Sequence, residues 1–276
     1  MAPTCARPAV RGWVVASVTI PAFVVLETFD WTLFHALAEE TRGWERVGAL
    51  ALFRYLPWLL GPLILAALLF GPARAPGALG LNRPVAPALL FGLGVTAPLA
   101  IGLALLLPFA PRADWATGIV RFAILPGLFE EIFYRAFLFG LLFRFAGWGF
   151  LPAALLGAAF FGAAHLAGGD DPLEAAGIFA LTGLGALWFA WLYAEWGWNI
   201  WVPAGVHILM NLWWDLFQPA DSAAGTWAVN GLRLLVVLLS VALTLIRARR
   251  HGGRDIRGRR WLGGPGGAAT PACASP

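Results

Sequence analysis

The sequence contains no lysine; all nineteen of its basic residues are arginine. Charge of either sign is scarce. Asp, Glu and Arg together make up 12% of 276 residues, against roughly 25% in a soluble domain. A chain so poor in charge cannot clothe a water-facing surface of ordinary polarity, which excludes a conventional soluble enzyme. Cysteine is nearly absent as well. Cys5 and Cys273 sit near opposite ends, where a bridge would close no core, so no disulfide is expected. The final four residues, Cys273 to Pro276, fit a C-a-a-X pattern only in form, because the middle pair is not aliphatic.

What the chain has in abundance is apolar surface: 60% of its residues are hydrophobic and fifteen are Trp. About 20 apolar residues cross the hydrocarbon core as a helix. Hydropathy marks eight such stretches, at about 13–37, 47–70, 86–109, 117–143, 148–166, 175–194, 198–217 and 227–246. Gly-, Pro- and Asp-rich turns separate them, as at Gly168-Gly169-Asp170-Asp171-Pro172. The expected fold class is all-α, a polytopic transmembrane helix bundle of about eight spans. Residues 1–246 form the bundle, with a core at about 117–217, and residues 247–276 form a basic, Gly-rich, disordered tail. No small-residue cleavage site ends the first apolar run, so it is read as a retained helix.

Seven arginines and one acid, Asp255, lie in the tail. The rest of the chain carries fewer arginines than acids, so the basic pI belongs to the tail and not to a nucleic-acid-binding face. Arginine beside a membrane helix marks the cytoplasmic side and contacts anionic lipid. With an even span count, both termini are expected in the cytoplasm, although Arg42, Arg46 and Arg112 then fall on the outer side. The Arg-, Ala- and Gly-rich usage suits a high-GC bacterium, so a bacterial cytoplasmic membrane is the expected location. The expected partners are the lipid bilayer and a peptide or membrane-protein substrate. The sequence sets no oligomeric state.

Ionisable side chains inside spans cost about 2.5–3.5 kcal/mol each on insertion scales, so they call for a reason. Three groups stand out. Glu130 and Glu131 lie midway along the fourth span, with Arg135 one turn after Glu131 and able to pair with it. His165 closes the fifth span, four residues after Phe161. His207 and Asn211 share a face of the seventh, which Asp215 extends. Each group has a structural alternative: an ion pair, an interfacial histidine, or hydrogen bonds between helices. Glu27, Asp30 and His35, at the end of the first span, are read as structural or interfacial.

The three groups together read E-E-x-x-x-R, F-x-x-x-H and H-x-x-x-N, in order and on separate helices. The set resembles the CAAX prenyl endopeptidase and bacteriocin-processing family of intramembrane proteases, known as CPBP or Abi. The likeness covers about 117–217. It implies an intramembrane endopeptidase acting on a membrane-associated protein or a leader peptide. Amide hydrolysis needs an activated water and a stabilised oxyanion. Glu130 is the expected general base, His165 orients the water, and His207 and Asn211 donate to the oxyanion. Glu131 and Arg135 support the site. The family is described both as metal-independent and as metal-dependent. The metal form would use Glu130, His165 and His207 as three ligands for a catalytic zinc with an open fourth position. The metal-independent form, with no cofactor, is preferred here.

Other intramembrane protease signatures are missing: there is no H-E-x-x-H, no G-x-S-G and no G-x-G-D. The alternatives outside proteolysis are a transporter, a scaffold or an immunity protein. Neither internal repeats nor paired broken helices are present to favour a transporter.

Overall fold

Residues 10–29, 40–250 and 256–263 are described by the structure, a computed structural model. Asp30, His35, His251 and both cysteines lie outside them. Among the described residues up to Arg250, nine helices follow one another. They are α1 (Gly12–Thr28), α2 (Gly43–Phe70), a short α3 over 72–78, α4 (Val85–Leu106), α5 over 115–144, α6 (Phe150–Ala164), α7 (Pro172–Glu195), α8 (Trp201–Phe217) and α9 (Trp227–Arg250). The described residues form no sheet; their one β contact is an isolated bridge between Trp148 and Gly263.

Among the described residues, five helices are long and apolar enough to cross a membrane: α2, α4, α6 with the turn that extends it to Gly168, α7 and α9. α1 is equally apolar but shorter, and residues beyond Phe29 are not described. α5 and α8, which carry the glutamate pair and His207, are not among the five. The bundle wears its apolar side chains outward. Leu68, Leu90, Leu105 and Leu234 are all more than half exposed, as helices in lipid require.

Local chemistry sets the helix ends. Asp171 caps α7, its carboxylate accepting the amides of Leu173 and Glu174, with Pro172 in the first turn. A tight turn joins α7 to α8, with Gly197 and Trp198 both at positive φ. Asn199 locks this turn, accepting from the Trp201 amide and donating to the Pro84 carbonyl.

α5 is the axis of the bundle. Every residue from Glu131 to Phe143 is buried. Phe133 stacks on Phe23 of α1 and on Trp58 of α2, each at 4.6 Å. On another side α5 meets α8 at Gly127, where a Cβ would come within 2.7 Å of the Ile208 amide nitrogen. Glycine is required there for the two backbones to approach so closely.

The tail departs from expectation in part. α9 runs on to Arg250, past the expected boundary at 246. Residues 256–263 are seated against the bundle: the Ile256 amide donates to Glu195 and Trp261 packs on Phe150. Apolar residues in a polar stretch supply this contact, which composition alone conceals.

Candidate active site

Glu130 ends an α-helical turn of α5, and Glu131 opens a π-helical stretch, Glu131–Phe139. In a π-helix the bonds run from i to i+5, so each turn takes in more residues than in an α-helix. Side chains four apart are thereby brought closer to one line. Glu131 and Arg135 make an ion pair at 3.2 Å, with side chains 0% and 2% exposed. None of the guanidinium nitrogens makes an aligned hydrogen bond, so charge carries the contact. The Phe161 ring lies under the guanidinium at 4.3 Å and adds a cation–π attraction.

The close approach at Gly127 brings α8 against this pair. His207 Nδ1 lies 2.8 Å from Glu131 Oε1, and its Nε2 lies 4.0 Å from Glu130 Oε2. A carboxylate facing Arg135 only accepts, so Nδ1 carries the proton donated to Glu131. The other ring nitrogen is thereby turned toward Glu130. That gap is too long for a direct hydrogen bond and short enough for one water to touch both groups. Phe189 of α7 covers the imidazole, with ring centres 5.4 Å apart. Glu130 and His207 each keep 12% of their side chain exposed, so the site is confined yet reachable.

His165 closes α6 and donates from Nδ1 to the Phe161 carbonyl at 2.7 Å, which leaves Nε2 free of that contact. Its ring sits 4.6 Å from the Phe161 ring, and Phe161 stands 6.5 Å from His207. One phenylalanine thus touches His165, Arg135 and the approach to His207, which is a physical reason for an aromatic residue at that place. Asn211, one turn beyond His207, donates to the Phe122 carbonyl of α5 at 3.0 Å. The second N–H of its amide is not used in that bond. Asp215 extends the face but turns to another task, pairing with Arg112 at 2.8 Å.

Among the described residues, no group of three or more His, Cys, Asp or Glu side chains is gathered as a metal site. Glu130, His165 and His207 are not brought together as such a group.

Sequence reasoning passed over several neighbours. Tyr134 donates to Glu27 of α1 at 2.7 Å, and Arg54 and Tyr55 of α2 lie on the same side of α5. Each is separated by many residues from its partners, so no local spacing announces it. The one available signal was Glu27 itself, an acid inside an apolar run.

The comparison with protein families matches residues 112–213 to the type II CAAX prenyl endopeptidase Rce1-like family. No curated protein and no solved structure matches the chain. The matched stretch carries all seven motif residues and spans α5 to most of α8. This match over residues 112–213 is consistent with the CPBP family that the ordered motifs resemble.

Proposed function

We propose that this protein is an intramembrane endopeptidase in which Glu130 activates a water molecule held between its carboxylate and His207. The observation that carries the reading is the placement of His207. One ring nitrogen is fixed on the buried Glu131–Arg135 pair, and the other faces Glu130 across a gap of one water's width.

The chemistry follows from that placement. Glu130 takes a proton from water as the water oxygen bonds to the scissile carbonyl carbon. His207, when protonated at Nε2, and the second N–H of Asn211 donate to the oxyanion that forms. His165 orients the water through its free ring nitrogen. The C–N bond then breaks, and the proton held by Glu130 passes to the leaving nitrogen. The products are a carboxylate and an amine. Glu131 and Arg135 do not react; they hold the His207 tautomer and the helix.

The substrate in this reading is a membrane-associated protein or a leader peptide, reached from within a bacterial cytoplasmic membrane. The eight expected spans place both termini in the cytoplasm, with the arginines at the end of α9 on that side. No metal is required by the scheme. The decisive experiment compares the termini of membrane proteins in cells that make the wild-type protein or Glu130→Gln. New termini should be present in the first and missing in the second. Equal sets would reject the reading. Purified protein should keep its activity under strong chelation; loss of activity together with a stoichiometric metal would reassign Glu130, His165 and His207 as ligands.

A further inference from the structure

Glu27 stands in the last turn of α1, well outside the stretch that matches the protease family. Its Oε1 accepts the Tyr134 hydroxyl at 2.7 Å. Its second oxygen, Oε2, is buried and has no hydrogen-bond partner. Arg54, Glu130 and His165 all lie within electrostatic reach of this carboxylate. Glu27 is therefore turned toward α5. An acid serving only as a membrane-surface anchor would turn to the headgroups and water.

Tyr134 connects Glu27 to the site. It is one turn beyond Glu130 on α5 and only 2% exposed. Its ring meets Phe161 edge-on at 5.1 Å. Phe161 in turn holds His165 through its carbonyl and Arg135 through its ring. A run of direct contacts thus leads from α1 through α5 to α6 and ends on a proposed reacting group. Phe23 of α1 and Trp58 of α2 also pack edge-on against Tyr134, at 5.5 and 5.9 Å. The ring is confined on several sides, and the hydrogen bond to Glu27 fixes the direction of its hydroxyl.

We propose that Glu27 is a positioning residue of the active site. By accepting the Tyr134 hydroxyl it fixes the Tyr134–Phe161 contact, and through it the His165 ring. The first helix is then part of the protease machinery, although the family resemblance does not extend to it. The inference rests on the reading of Glu130 as the base.

The test uses the full chain in membranes. Cleavage events are first defined as the protein termini that appear with wild type and not with Glu130→Gln. Peptides spanning those cleavage sites are then given to purified, liposome-embedded Tyr134→Phe, Glu27→Ala, Glu27→Gln and the Tyr134→Phe/Glu27→Ala double variant, at equal amounts of folded protein. Tyr134→Phe keeps the ring and removes only the hydroxyl, so it should fold even where Glu27→Ala does not. Tyr134→Phe and Glu27→Ala should each lower kcat roughly tenfold or more with little change in KM, as expected of a misplaced reacting group. The double variant should lose no more than either single one. Glu27→Gln, which retains an oxygen to accept the hydroxyl, should keep most of the rate. A Tyr134→Phe enzyme with wild-type kcat would overturn the inference, as would losses that simply add. If no terminus depends on Glu130, the proposed function itself fails, and this inference with it.

Discussion

α5 and α9 are helices of similar hydrophobic origin that treat polarity in opposite ways. α9 turns Leu234, Leu235, Leu238 and Ile246 outward, and its polar residues are few and mild. Ser240 and Thr244 face inward and accept the indole N–H groups of Trp188 and Trp196, at 3.0 and 2.9 Å. Its one charge before the last turn, Arg233, is drawn onto the Trp214 ring and the Ala223 carbonyl. α5 has no such outward face from Glu131 to Phe143, and in that interior it holds a full ion pair. The difference shows where a membrane protein can keep charge. A helix against lipid can satisfy only weak polar groups, and does so by facing its neighbours. A helix enclosed by other helices can hold opposite charges in contact, because each supplies what water would.

The contrast predicts a graded series of effects. The largest should come from Glu130→Gln, which keeps size and hydrogen bonding but cannot take a proton. Cleavage should fall by about 10²–10⁴ while the protein inserts and folds as before, measured by peptide cleavage in liposomes and by thermal unfolding. Glu131→Gln should act on stability. It leaves Arg135 and the His207 donor without a charged partner in a buried setting, where breaking a pair costs about 3–5 kcal/mol. Adding Arg135→Leu should recover part of the loss. An active Glu130→Gln beside a stable, inactive Glu131→Gln would reverse the two roles.

Phe133→Ala should also lower stability, by about 3–5 kcal/mol, since the ring is clamped between Phe23 and Trp58. Denaturation in mixed micelles would read this loss. Gly127→Ala should push α8 away from α5 at Ile208 and reduce cleavage more than it reduces the unfolding temperature, because the displaced group is His207. At the bottom of the series, Leu238→Ala on the outer face of α9 should change stability by no more than about 0.5 kcal/mol. A large effect there would mean that this face packs against protein and not lipid.

Much of the helical order was open to reading along the chain. The stretches expected at 86–109, 175–194 and 227–246 correspond to α4, α7 and α9 within a few residues. Runs of apolar residues broken by Gly, Pro and Asp are local signals, and helix formation in lipid is local too. The Glu131–Arg135 pair was legible for the same reason, being one turn of a single helix. The link from Glu131 to His207 was not, because it joins residues 76 apart in sequence. Within the tail, Ile256 and Trp261 have buried or aromatic partners that no window of neighbouring residues displays. The partner of Glu27 was not legible either, since Tyr134 lies 107 residues away.

By itself, then, the sequence determined that this is a helical membrane protein and which seven residues make up its three ordered motifs. Both properties rest on composition and on spacing within single helices. Only the tertiary structure decided how those side chains meet: His207 reaches between the two glutamates because Gly127 lets α8 lie against α5. It also decided that α1 is tied to α5, through the hydrogen bond of Tyr134 to Glu27. Contacts between helices depend on which faces pack together, and in a bundle whose surface and core are both apolar, hydrophobicity along the chain does not distinguish one face from another.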